Sequence, residues 1–244
     1  ALDYIFISHS HYDHIGAIPY LREEWPEIKV LGAEYAQRIL GKGSALQTIR
    51  ALGVQAAELY SADKPQEYDS AMLKVDQAVM DGDIIDLGGL VVRVIETKGH
   101  TKCSLSFLIN NETLFASEST GYMSKSGRVY PGFITSCEEA IRSINRCKAI
   151  NPRFIFSPHY GLVNEKDTPN YWEKCLLAVK EARDFILFLS RQGHDEERIL
   201  IQYEIMFRDE QSRQEQPYNA FKLNTQSMIK TVLKEQHPPL PLAQ

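Results

Sequence analysis

The spacing of apolar and polar residues changes from place to place along the first two thirds of the chain. Short apolar runs, many with β-branched or aromatic residues, predict strands at 2–7, 28–32, 91–95, 104–109, 113–116 and 154–157. Helical spacing predicts helices at 33–40, at 45–52 and through Ile15, Ile18, Leu21 and Trp25. Because strands and helices alternate, we expect a fold of the α/β class.

Turn-forming residues and polar stretches mark the connections between these elements. An Asp-Gly pair within 78–88 predicts a hairpin, and Asn110-Asn111-Glu112 predicts a second one. Residues 60–68 and 122–134 have no clear period, so we expect irregular loops there. The second is expected to be an ordinary surface loop, with a loop that lies over the functional site and contacts substrate as the alternative. Ser136 is expected to cap the helix that follows it.

The last third of the chain favours continuous helix, at 172–191, 196–207 and 221–234. The first of these stretches has an amphipathic face, which favours packing against other elements. The sequence therefore predicts a core at 1–167, a helical appendage at 168–235 and a tail at 236–244. The proline-rich tail is expected to be disordered.

The composition limits the classes of function. With 244 residues, 43% of them hydrophobic, the chain can bury a full core. The net charge of −5 and an isoelectric point near 5.8 argue against a nucleic-acid partner. The four cysteines form no C-x-x-C pair, which is typical of free thiols in a reducing cytoplasm. No apolar run has the length of a membrane span, so we expect no membrane partner.

The candidate chemistry is concentrated directly after the first apolar run. Three of the seven histidines and an aspartate fall within six residues, His9-Ser10-His11-Tyr12-Asp13-His14. Imidazole and carboxylate groups are ligands that zinc and divalent iron prefer. His9 and His11 point to the same side of an extended chain, whereas Asp13 and His14 can turn towards a second ion where a helix begins. The spacing therefore suits two metal ions better than one.

This run resembles the signature of the metallo-β-lactamase-fold hydrolases. Three later segments, each at the end of an apolar run, resemble the remaining ligand motifs of that family: Gly99-His100-Thr101, Ser117-Glu118, and Ser157-Pro158-His159-Tyr160-Gly161. The family usually has an aspartate where this chain has Glu118, whose extra methylene changes the reach of the carboxylate.

The resemblance implies two divalent metal ions, zinc or iron, with manganese as a further option. The implied ligands are His9, His11 and His100 for the first ion, Asp13, His14 and His159 for the second, and Glu118 as a bridge between them.

The resemblance also implies the family's αββα sandwich for the core. In the family several strands precede the metal motif, and they have no counterpart in this sequence, so we expect an N-terminal piece to be absent from it. The helical appendage is similar to those of glyoxalase II and, more closely, of the quinolone-signal response thioesterases. We expect it either to lie over the active site or to form a homodimer.

These implications favour a metal-dependent hydrolase of small molecules. A hydroxide bridging the two ions would attack an ester, thioester, lactone or phosphodiester. Asp13 is the expected catalytic residue, which orients the nucleophile and assists proton transfer. Two alternatives remain open. One is a mononuclear iron oxygenase of the persulfide dioxygenase type, and the other is a regulatory protein with a largely structural metal site.

Overall fold

The computed structural model describes residues 2–60 and 67–236. The described residues form two compact units: the first contains 2–96 and 102–117, and the second contains 97–101 and 118–236. Strands and helices occur in both units, which confirms the α/β class. Most of the loop predicted at 60–68 lies outside the described residues. The predicted boundary after residue 167 stays a prediction.

The first unit contains seven strands and four helices among its described residues. The strands are β1 (Tyr4–Phe6), β2 (Lys29–Ala33), β3 (Gln77–Val79), β4 (Ile84–Asp86), β5 (Val91–Glu96), β6 (Leu105–Ile109) and β7 (Thr113–Phe115). The helices are α1 (Tyr12–Ile15), α2 (Ile18–Glu24), α3 (Glu34–Leu40) and α4 (Gly43–Leu59), and a 3-10 turn spans Ser70–Met72. Strands β1, β2 and β3 pair in parallel, whereas β4 to β7 pair antiparallel in chain order.

The helices between β1 and β2 make the crossover that parallel neighbours require. Ile15 and Ile18, from α1 and α2, pack in one buried cluster with Ile7 and Val30. The histidine motif lies between these anchors along the chain. Burial of the flanking apolar side chains therefore fixes where the motif sits relative to β1.

Asp76 connects α2 to β2. Its Oδ2 accepts hydrogen bonds from the Val30 amide at 2.8 Å and from Arg22 Nη2 at 2.7 Å. Burial by itself would raise the pKa of Asp76, but these two donors lower it below its ordinary value of 3.8. The carboxylate is therefore charged in the folded protein at neutral pH.

The hairpin predicted at 78–88 is wrong. Strand β3 pairs with β2 and strand β4 pairs with β5, so the turn joins two sheets. The Asp-Gly turn itself is present: the Met80 amide donates to Asp83 Oδ2 at 2.8 Å, and Gly82 has a φ of 86°. A turn signal is local, whereas the choice of partner strand depends on distant residues.

The second predicted hairpin, between β6 and β7, is confirmed. Asn110 and Asn111 have φ values of 49° and 55°, the left-handed region that asparagine tolerates better than most residues. Asn110 Oδ1 also accepts a hydrogen bond from the Val91 amide at 2.8 Å, which ties the turn to β5.

The second unit contains four short strands and five helices among its described residues. The strands are β8 (Tyr122–Met123), β9 (Val129–Tyr130), β10 (Phe154–Ser157) and β11 (Gly161–Leu162). The helices are α5 (Cys137–Ile150), α6 (Tyr171–Arg191), α7 (Glu196–Phe207), α8 (Glu210–Glu215) and α9 (Tyr218–Gln236), and 3-10 turns span Glu118–Thr120 and Thr168–Asn170. Strands β8 and β9 form one antiparallel hairpin, and β10 and β11 form another.

The prediction of an irregular surface loop at 122–134 is wrong. The hairpin of β8 and β9 lies within it, and Val129, Tyr130 and Phe133 are buried. Each of these strands has two residues. A strand that short is too brief to show an alternating period, which is why the sequence pattern missed it.

The predicted helices of the C-terminal region are confirmed, with α8 as an additional short helix. The predicted cap is also confirmed, because Ser136 Oγ accepts a hydrogen bond from the Glu139 amide at 3.1 Å. Helix α5 packs against α6 and α9. The tail residues 237–244 lie outside the described residues, so their predicted disorder stays a prediction.

All four cysteines are buried and have free thiols, as predicted. No helix within 2–60 or 67–236 is both long and apolar enough to cross a membrane.

Candidate metal centre

The first unit brings together four of the predicted ligands, which follow β1. His9 is fully buried, and its Nε2 lies 3.0 Å from Nδ1 of His11. The two rings have centroids 4.5 Å apart. His11 has an extended backbone because it precedes the first turn of α1. The extended His-x-His segment therefore turns one nitrogen of each ring towards a common point, as the sequence predicts.

Helix α1 carries the other two predicted ligands of this unit. Asp13 Oδ2 lies 3.5 Å from His14 Nε2. The ring centroids of His14 and His9 are 4.1 Å apart. Ser8 Oγ lies 3.1 Å from Nδ1 of His9 and 3.3 Å from Nδ1 of His14, so one hydroxyl contacts and orients both rings.

These separations suit metal coordination. A tetrahedral zinc ion with metal–nitrogen bonds of 2.0–2.1 Å places its ligand atoms about 3.3 Å apart. The pair His9 Nε2 and His11 Nδ1, at 3.0 Å, and the pair His14 Nε2 and Asp13 Oδ2, at 3.5 Å, both lie near this value. Each pair therefore has the spacing of two ligands of one metal ion.

The second unit carries the other three predicted ligands, beginning with His100. The preceding Gly99 has a φ of 132°, and a Cβ atom there would lie 2.6 Å from the Ala140 amide nitrogen of α5. A side chain at this position would therefore collide with α5. The His100 amide donates to Ser119 Oγ at 2.9 Å, which holds the backbone next to the 3-10 turn of Glu118.

Glu118 is buried between two histidines. Its Oε2 lies 2.8 Å from His100 Nε2, and its Oε1 lies 2.5 Å from His159 Nε2. Each oxygen therefore faces a different histidine, one from each of the two predicted ligand groups. The glutamate side chain is long enough to reach both.

His159 follows β10 with a φ of 60°, an uncommon conformation for a residue with a side chain. Such a conformation costs of order 1–3 kcal/mol and persists where the surroundings impose it, often at functional sites. The Tyr122 ring contacts the His159 ring edge to face, with centroids 5.8 Å apart. Burial, reinforced by the Glu118 carboxylate, raises the pKa of Tyr122 far above its ordinary value, so its hydroxyl stays protonated.

The hydrogen bonds of His100 show that this donor set fits a cation. His100 Nδ1 lies 2.5 Å from the Gly132 carbonyl oxygen, which only accepts hydrogen bonds, so Nδ1 carries the proton. In a neutral His100, the Nε2 lone pair then faces the carboxylate oxygen Glu118 Oε2 at 2.8 Å. Two electron-pair donors repel each other at this distance, and a divalent cation that accepts both pairs removes the repulsion.

All seven predicted ligands belong to groups of His, Asp and Glu that could hold a metal ion. Sequence reasoning missed four further contributors, namely Ser8, Ser119, Tyr122 and Gly132. Ser8 directly precedes the motif and Ser119 directly follows Glu118, so position next to a ligand was the available signal for these two. The Gly132 contact is made by a backbone carbonyl, which has no sequence signature.

The chain belongs to the metallo-β-lactamase superfamily, whose sequence model matches residues 1–159. This range contains all seven predicted ligands, and it confirms the resemblance found in the motifs.

Two curated relatives illustrate the family. The metallo-β-lactamase fold-containing protein ST1585 of Sulfurisphaera tokodaii is 30% identical over 171 residues, which are 68% of this chain and 63% of that protein. The hydroxyacylglutathione hydrolase of Bradyrhizobium sp. strain ORS 278 is 27% identical over 128 residues, which are 52% of this chain and 37% of that enzyme. The chain therefore spans less than two thirds of the length of these relatives.

Solved structures agree on the fold. The crystal structure of ST1585 from Sulfolobus tokodaii is 28% identical, with a TM-score of 0.57 over 71% of this chain and 67% of that chain. The metallo-β-lactamase family protein TTHA1429 from Thermus thermophilus is 14% identical, with a TM-score of 0.62 over 99% of this chain and 77% of that chain. The metallo-β-lactamase fold with a helical C-terminal region is thereby confirmed.

Proposed function

We propose that the protein is a metal-dependent hydrolase in which the seven predicted ligands hold two divalent cations. The observation that carries this proposal is the arrangement of Glu118, whose two carboxylate oxygens face two different histidines. A carboxylate placed in this way is suited to bridging two ions. The proposed ligands are His9, His11 and His100 for the first ion, Asp13, His14 and His159 for the second, and Glu118 for both.

Two divalent cations supply a water nucleophile at neutral pH and stabilise the negative charge that develops on the substrate oxygen. The chain's own residues supply orientation and proton transfer. The Asp13 carboxylate is exposed beside His14, so it is placed to accept the proton of the attacking water and pass it to the departing group. His100 is held in one orientation by the Gly132 carbonyl.

Among the possible scissile bonds, we propose a thioester as the first to test. The support is the similarity to relatives named hydroxyacylglutathione hydrolases. Esters, lactones and phosphodiesters need the same nucleophile and remain the other substrate classes. A small-molecule substrate and a cytoplasmic location, which the acidic charge and the free cysteines favour, belong to the same proposal.

The test combines metal analysis with turnover. We expect plasma mass spectrometry to find two metal ions per chain, and we expect the protein to hydrolyse a thioester faster than bis(p-nitrophenyl) phosphate. Glu118→Gln removes the bridging charge at almost constant size, so activity should fall by more than about a hundredfold, beyond what changes around metal ligands usually cost. His194→Ala, a histidine outside the predicted set, should keep both metal and activity.

Two outcomes would contradict this proposal. One iron per chain without hydrolysis of either substrate would favour the oxygenase alternative. Turnover that survives complete removal of metal by a chelator would show that the reaction does not depend on these ligands.

A further inference from the structure

The last helix, α9, contacts the irregular segment 132–136. Thr231 Oγ1 donates a hydrogen bond to the Ile134 carbonyl at 2.9 Å. Glu235 Oε1 accepts hydrogen bonds from Ser136 Oγ at 2.6 Å and from the Cys137 amide at 3.1 Å. Negative charge is favourable at this position because the Cys137 amide belongs to the first turn of α5.

The same segment contacts the loop of His100 through its backbone. The Gly99 carbonyl accepts hydrogen bonds from the amides of Ile134, Thr135 and Ser136 at 3.0, 2.9 and 3.2 Å. The Gly132 carbonyl accepts the proton of His100 Nδ1. Residues 132–136 therefore lie between α9 and a predicted metal ligand, with hydrogen bonds to both.

This segment has no helix or strand ladder to fix its backbone. Its conformation depends on the individual groups that satisfy its backbone donors and acceptors. One of those groups is a side chain of α9, because Thr231 Oγ1 donates to the Ile134 carbonyl. A second side chain of α9, Glu235, holds the end of the segment through the Ser136 hydroxyl and the Cys137 amide. A change in α9 can therefore move the Gly132 carbonyl and with it the ring of His100.

We propose that Glu235 and Thr231 are positioning residues, which act through segment 132–136 to hold His100 in its metal-binding orientation. The inference rests on the proposed function for the role of His100, but the orientation of the ring is itself measurable in metal-free protein. Partners that orient a metal-binding histidine usually change metal affinity by 10–100-fold when they are removed. Because Glu235 acts through an intermediate segment, we expect about tenfold, the lower end of that range.

The test compares Glu235→Ala with Glu235→Gln. The glutamine keeps an oxygen that can accept from Ser136 and Cys137, whereas the alanine keeps none. We expect Glu235→Ala to weaken cobalt binding about tenfold, measured against a chromophoric chelator, and to alter the cobalt absorption spectrum. Glu235→Gln should restore both. Lys234→Ala removes a charge from the adjacent exposed position and serves as the control.

A second measurement does not need metal. Long-range proton–nitrogen NMR of chelator-treated protein reports which ring nitrogen of His100 carries the proton. We expect a proton on Nδ1, with or without a second proton on Nε2, in the wild type and in Glu235→Gln, and a fraction of molecules that lack the Nδ1 proton in Glu235→Ala. If Glu235→Ala does not fold, Thr231→Val, which is similar in shape, should show a smaller change of the same kind.

The outcomes separate this inference from the proposed function. Unchanged cobalt affinity, spectrum and tautomer in Glu235→Ala, with only a lower melting temperature, would overturn the positioning role and leave the hydrolase proposal intact. If the wild-type protein bound no cobalt, the hydrolase proposal would be overturned. If Glu235→Ala still changed the protonation of His100 in that case, the positioning role of Glu235 would stand.

Discussion

Gly132 contacts two predicted ligands, His100 and Glu118. Its carbonyl accepts the proton of His100, and its Cα faces the backbone of Glu118. A Cβ atom on Gly132 would lie 1.8 Å from the Glu118 carbonyl oxygen, much closer than two such atoms can approach. Glycine is therefore required here by lack of space rather than by its range of backbone angles.

We expect Gly132→Ala to reduce both metal content and melting temperature. The new methyl group forces segment 132–136 away from Glu118, and the Gly132 carbonyl that accepts the His100 proton moves with it. Gly53→Ala is the matched control. Gly53 lies inside α4 with open space where a Cβ atom would be, so alanine there should stabilise the protein by roughly 0.5–1 kcal/mol. Metal analysis and thermal unfolding check both variants. Normal metal content in Gly132→Ala would contradict the role given to this contact.

At the residue scale, the sequence indicated the candidate ligands but not the groups that contact and orient them. His9, His11 and Glu118 carry the chemistry in their own side chains, at a spacing that few other sites require. Ser8 acts through its side-chain hydroxyl, a group that many residues have, and Gly132 acts through its backbone carbonyl, which every residue has. The sequence does not show which histidine either group contacts, because the contact forms only when the chain folds.

At the scale of elements, local pattern predicted where most strands and helices occur but not always how they pair. The Asn110-Asn111 hairpin was predictable because both strands and the turn are continuous in sequence. The turn near Gly82 has an equally clear signal, yet it connects strands of two sheets. The pairing of β3 with β2 depends on more distant contacts, which include the tie between Asp76 and Val30.

We expect Asp76→Asn to lower the free energy of unfolding by about 1 kcal/mol at pH 7, since it weakens charge-assisted hydrogen bonds at a partly exposed site. The folded-state pKa of Asp76 is lowered, so its stabilising contribution is complete above the unfolded-state pKa of about 3.9 and is lost as pH falls through the lower folded-state value. Urea unfolding of both proteins between pH 7 and pH 2 measures the difference. A difference that stays constant down to pH 2 would rule out this carboxylate as its source.

At the scale of the whole molecule, the homodimer predicted through the C-terminal helices stays a proposal. Its support is that α7 exposes Ile201 and Ile205, which share one face of the helix. We expect sedimentation velocity to show a dimer for the wild type and a monomer for Ile205→Glu. Ile84→Glu replaces an equally exposed isoleucine in β4 and should leave the dimer intact. A monomeric wild type would refute the proposal.

The position of α9 bears on how relatives should be compared. The matched family region, 1–159, includes every predicted ligand, whereas Thr231 and Glu235 lie beyond it. If α9 orients His100, metal affinity depends on residues of the C-terminal region as well as on the ligands. Two family members with identical ligands can then bind metal with different affinities. In such a pair, the divergent C-terminal region would tune the inherited centre, and exchanging that region between them would transfer the difference in metal retention.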